Sequence, residues 1–133
     1  MSTFLSKYRS DIFFPLKAID MFLKTSTPPY DMNKVAELLH ISEKELKTIM
    51  NEKGITLITP EAFSLIMKNG SGELCRAFRR ELECGLTDTY SPEQVSYIYS
   101  LDIDDVLNAY ASMGIFRLDK GLLETLFSRI VIN

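Results

Sequence analysis

Apolar positions along this chain recur at the three- and four-residue spacing of helices, not at the two-residue spacing of strands. Between residues 11 and 25, Phe14, Ala18, Ile19, Phe22 and Leu23 form one helical stripe. The stretch TSTPPYD then ends that helix, because two successive prolines cannot continue it. A second helix is predicted from Met32 to His40 with Asp31 as N-cap. A third begins at Ser42, where Glu45 three residues on completes a capping box, and it ends at Gly54. After a short extended piece, Thr59 caps a fourth helix with Pro60 in its first turn, and KNGSG closes it.

The same grammar returns 60 residues later without a gap. Tyr30 meets Tyr90, Val35 meets Val95, Leu38 meets Ile98, and Ile41 meets Leu101. Leu46 meets Val106, Gly54 meets Gly114, and Ile55 meets Ile115. Ile58, Phe63 and Ile66 meet Leu118, Leu123 and Leu126. The matching tyrosine, the matching glycine and the ungapped frame point to a duplicated structural unit. The expectation is an all-α fold of two tandem helix-turn-helix-like helical units, residues 1–70 and 71–133. One short strand pair, Thr56–Ile58 with Phe116–Leu118, is expected between them across a pseudo-two-fold axis. Order is expected everywhere except in the first few residues.

Residues 33–53 resemble the helix-turn-helix of repressor-type DNA-binding proteins. That family has a small residue in the middle of its first helix, matched by Ala36, and apolar pins, matched by Val35, Leu39, Ile41, Leu46 and Ile49. Its usual turn glycine is replaced by His40. Histidine tolerates left-handed backbone better than branched residues do. The resemblance implies double-stranded DNA as partner. With Leu46, Ile49 and Met50 inward, helical geometry turns Ser42, Glu43, Lys44, Lys47, Thr48 and Asn51 outward. Lysines suit guanine edges or phosphates, Asn51 suits adenine, and Glu43 suits cytosine. The structural alternative is a solvated face with Glu43 and Lys47 paired at i,i+4.

Charge sharpens the contrast between the halves. Residues 1–70 hold nine Lys/Arg against eight Asp/Glu, a balance of +1, whereas residues 71–133 hold six against ten, a balance of −4. Lys34, Arg76, Arg79 and Arg80 are candidate phosphate contacts, although Glu73 and Glu83 are placed to pair with the arginines. The second unit presents Asp102, Ile103, Asp104, Leu107, Asn108 and Ala111 where the first presents its lysines. Acids there repel phosphate, so Ile103 and Leu107 are expected to meet another surface: the first unit, or a partner in a homodimer. Tyr30, Tyr90, Tyr97, Tyr99 and Tyr110 are expected in the core.

No apolar run reaches the roughly 18 residues needed to span a bilayer, and no secretory leader is recognised, so no membrane association and a cytoplasmic location are expected. Cys75 and Cys84, about 13 Å apart if on one helix, are expected as free thiols. Two cysteines and one histidine make no zinc pattern, and no P-loop or dinucleotide fingerprint is present. No cofactor, metal or catalytic residue is therefore expected. The function expected is sequence-specific DNA binding by a small transcriptional regulator. The alternative is a protein-interaction module, an antirepressor or adaptor, that keeps the fold without binding DNA. A third reading is a small-ligand sensor with a pocket between the units.

Overall fold

A computed structural model of the chain describes residues 2–132. Strand β1 (Ser2–Thr3) leads into helix α1 (Phe4–Tyr8), a π-helical turn over Arg9–Phe13, and α2 (Phe14–Thr25). Helices α3 (Met32–Leu39), α4 (Glu43–Glu52), α5 (Pro60–Asn69) and α6 (Glu73–Glu83) follow. Strand β2 (Thr89–Tyr90) precedes α7 (Pro92–Tyr99) and α8 (Ile103–Met113). Strand β3 (Leu118–Asp119), a 3-10 turn, α9 (Leu123–Phe127) and β4 (Val131–Ile132) complete the chain. The fold is mostly helical, with two short antiparallel strand pairs.

The chain forms two compact units. One is Asp11–Arg79; the other joins the first ten residues to the chain from Arg80 onward. The change of unit falls inside α6, where the sequence pattern had placed it at 70/71. In the Asp11–Arg79 unit, Val35, Leu39, Leu46, Ile58, Phe63 and Ile66 are fully buried. The Tyr30 ring lies 5.0 Å from Phe22 and 6.3 Å from Phe63. In the other unit, Phe4, Tyr8 and Tyr99 surround Phe127 with ring centroids 4.8, 4.8 and 5.0 Å away. These two aromatic clusters remove large apolar areas from water, the main favourable contribution in each unit.

Element bounds coincide at the 60-residue offset: α3 with α7, and the starts of α4 and α8. So do their caps. Asp31 and Ser42 accept the amides of Lys34 and Glu45, as Ser91 and Asp102 accept those of Gln94 and Asp104, whereas Thr59 accepts that of Ala62 and its counterpart Asp119 makes no such bond. Each such cap contributes about 1 kcal/mol. The left-handed residues match too: His40 with Ser100, both at φ 55, and Gly54 at φ 67 with Gly114 at φ 68. The last helix differs, since ten-residue α5 answers to a 3-10 turn followed by five-residue α9.

Three expectations are corrected. The 56–58 and 116–118 segments do not pair with each other. Instead Leu118 pairs with Tyr90, and the Tyr30 N–H donates to the Ile58 carbonyl at 2.8 Å. Each segment thus closes back on the residues before its own unit's first repeated helix, because a local partner costs less loop-closure entropy than a distant one. A second strand pair, beyond the one expected, joins Ser2 with Ile132 and Thr3 with Val131. Tyr97 is not core: it is 48% exposed, with the Arg80 guanidinium 5.6 Å from its ring centre.

His40 ends α3 at φ 55, ψ 42, a conformation that costs a side chain with Cβ roughly 1–2 kcal/mol and a β-branched residue more. His40→Val is expected to lower stability by about 1–2 kcal/mol, and His40→Gly not to lower it, as read from urea denaturation midpoints.

Candidate nucleic-acid interface

The left-handed backbone at His40 turns the chain within two residues. The Ile41 N–H reaches back to the Ala36 carbonyl at 3.1 Å, and Ser42 then starts α4. Helices α3 and α4 pack against each other, with Ala36 of α3 and Leu46, Ile49 and Met50 of α4 all buried. The opposite side of α4 is solvent. Ser42, Glu43, Lys44, Lys47, Thr48 and Asn51 are all exposed.

Little on that face is committed elsewhere. Thr48 Oγ1 donates to the Lys44 carbonyl at 2.9 Å, which leaves its lone pairs outward. Among the described residues, neither Lys44 nor Lys47 enters an ion pair, so the Glu43–Lys47 pair of the alternative, solvated-face reading is not formed. On α3, Lys34 is exposed and weakly paired with Glu37 at 3.9 Å.

The capping box at this helix is only half made. Ser42 Oγ accepts the Glu45 N–H at 3.0 Å, but the Glu45 carboxylate does not return to the Ser42 amide. It accepts the Ser71 N–H at 2.7 Å and the Ser71 hydroxyl at 2.6 Å. A carboxylate gains more from two donors than from one backbone amide, so the loop outcompetes the local cap. A reciprocal box forms instead at Ser91 and Gln94.

The 70–72 loop is pressed against the turn. A Cβ on Gly72 would lie 2.8 Å from the Leu39 carbonyl oxygen, so only glycine fits there without a shift. Arg79 donates to the Lys68 carbonyl at 2.8 Å and tethers the end of α5. The loop thus ties α4 through Glu45 while Arg79 holds the loop's own Gly70 carbonyl, a role that helical periodicity does not reveal.

The arginines therefore divide. Arg76 is exposed beside Glu73 at 3.1 Å, Arg79 is occupied by backbone carbonyls, and Arg80 donates to Ser100 Oγ and lies beside Tyr97. Glu83 takes the Tyr97 hydroxyl instead of an arginine. On α8, Ile103 is 37% and Leu107 43% exposed, alongside exposed Asp102 and Asp104. By unit, Asp11–Arg79 holds nine Lys/Arg and nine Asp/Glu, and the other unit holds six against nine. The asymmetry of the sequence halves persists at smaller size.

Both cysteines are free, Cys75 buried behind Gly70 and Cys84 partly exposed. Burial, followed by the Glu45 charge, raises the Cys75 thiol to about 11. Among the described residues no group of three His, Cys, Asp or Glu side chains is arranged to hold a metal ion, and no helix is long and apolar enough to cross a membrane. No family model matches the chain, and no curated protein or solved structure matches it either.

Removing the Glu45 carboxylate as Glu45→Ala is expected to cost about 1–2 kcal/mol in denaturant unfolding, because hydrogen bonds to a charged group are worth more than neutral ones. At pH 8 a thiol with its pKa near 11 is ionised in about one molecule in a thousand. Native protein is therefore expected to show one fast thiol with a disulfide reagent, that thiol to vanish in Cys84→Ser, and Cys75 to react only in denaturant.

Proposed function

We propose that this chain is a small transcriptional regulator that binds double-stranded DNA in a sequence-specific way. Its two repeated helical units are tandem helix-turn-helix-like units derived from one ancestral half, and only the Asp11–Arg79 unit reads DNA. The observation that carries this reading is the outer face of α4, a helix that follows a tight left-handed turn, is tied through Glu45 to the 70–72 loop, and offers exposed lysines with no acidic partner. An α-helix of this kind fits the major groove. Lys44 and Lys47 take guanine edges or phosphates, Asn51 takes adenine, Glu43 takes cytosine, and Ser42 and Thr48 supply adaptable hydroxyl contacts. Lys34 and Arg76, whose partners are solvent-exposed and weakly held, are the phosphate ligands at its flank. Arg79 and Arg80 serve the fold first.

One reading helix per chain makes few contacts, so a homodimer on a palindrome, with half-sites about 34–36 Å apart, is part of the proposal. A reducing cytoplasm suits the two free cysteines. A second reading has its own support. The α8 face sets exposed Ile103 and Leu107 among acids, and Phe116 just beyond it is 92% exposed. That surface repels phosphate and favours a protein partner, as in an antirepressor or adaptor.

Fluorescence anisotropy with labelled genomic fragments at 50 mM salt tests the first reading. Binding at micromolar protein is expected, weakening steeply by 200 mM as counterions are released. Lys44→Ala with Lys47→Ala is expected to reduce affinity at least tenfold while leaving Tm unchanged. Absence of binding at low salt transfers the weight to the protein-partner reading.

A further inference from the structure

Helix α2 carries apolar residues on more sides than its own unit covers. Leu16 and Leu23, seven residues apart on one edge, are 46% and 36% exposed. They overhang a cavity of about 470 Å³ whose other apolar walls are Ile19, Phe63 and Met67 with Phe78 of α6. That volume lies within the range of small-molecule sites, roughly 300–1,000 Å³, which are mostly apolar with a few polar groups at fixed places. The polar lining here is Lys17, Asp20 and Ser64.

The charges at this lining do not cancel. Asp20 is engaged by Lys24 at 2.9 Å, one turn along α2. Lys17 has no carboxylate partner among the described residues; its ammonium rests over the Phe13 ring at 5.4 Å. Lys17, held by no carboxylate, and Ser64 are thus the polar members of a mostly apolar lining in which Asp20 is already engaged. A cationic ligand is repelled by Lys17, whereas an anionic group meets a surface ammonium that is hydrated in the free protein and held by no carboxylate.

We infer that the cleft between α2, α5 and α6 binds an amphipathic monoanion: an apolar chain or ring seated on Phe63, Met67 and Phe78, with a carboxylate held by Lys17 and Ser64. The cleft lies wholly within the Asp11–Arg79 unit, so this site is distinct from the inter-unit pocket considered from sequence. It does not depend on what α4 binds.

Isothermal titration of the full chain with sodium decanoate tests the inference. Saturable binding of one decanoate per chain is expected, with decanol at least tenfold weaker. Lys17→Glu is expected to weaken decanoate at least tenfold, and Ser64→Phe, which fills the cleft from an exposed position, to abolish it. Lys17 lies at the surface of α2, so its variant reports on the charge even where Ser64→Phe perturbs folding. Equal affinity for decanol and decanoate, no saturable heat, or unchanged binding in Lys17→Glu overturns the inference. So does a dimer in sedimentation that decanoate fails to dissociate and Leu16→Asp with Leu23→Asp breaks, since a second copy then fills the cleft.

Discussion

The left-handed backbone at His40 is the constraint on which the rest depends. A single residue in that conformation ends α3, reverses the chain, and lets Ser42 begin α4 at once. With so short a turn the two helices have no freedom to separate. Ala36 and Leu46 are both buried, and α3 and α4 pack against each other across the turn. Burying that side forces the polar side outward. The exposed lysines are thus a consequence of the turn together with the spacing of three apolar residues, and no separate device is needed to present them.

The second occurrence of the geometry shows how far backbone and surface chemistry are independent. Ser100 adopts the same φ as His40, and α8 begins where α4 does at the 60-residue offset. Yet Asp102, Asp104 and Asp105 crowd the start of α8, with Asp102 accepting two backbone amides there. Acids at a helix N-terminus are favourable to the helix and unfavourable to a phosphate backbone. A helix can therefore keep its turn and its N-cap while the residues at the same exposed positions change from lysines to an acid and a leucine, Lys44 to Asp104 and Lys47 to Leu107.

Much of this was legible in residue pattern. Helices α3, α4 and α5, their caps at Asp31, Ser42 and Thr59, and the stop at Gly54 follow from local rules, which act over three or four residues. The outward positions Lys44, Lys47, Thr48 and Asn51 of α4 follow from the 3.6-residue period, whereas Ser42 and Glu43 are exposed because they begin the helix. What escaped was decided by residues far apart in sequence. Glu45 turned to Ser71, 26 positions away, and Arg79 turned to Lys68. The first strand found the last one. The stripe Phe14, Ala18, Ile19, Phe22 and Leu23 was legible as one helical face, but the cleft that α2 forms with Phe63, Met67 and Phe78 was not, because three separate helices build it. The role of the α4 face in binding is a further step, one that exposure permits and chemistry favours.

The most direct measurement is an amide chemical-shift titration of the isotope-labelled chain with a random-sequence duplex of about two helical turns at low salt. The expected result is a set of perturbed amides clustered from Ser42 to Asn51 and near Lys34, with α8 silent. Perturbation centred on Ile103 to Ala111, or none anywhere at millimolar duplex, contradicts the assignment of DNA reading to α4.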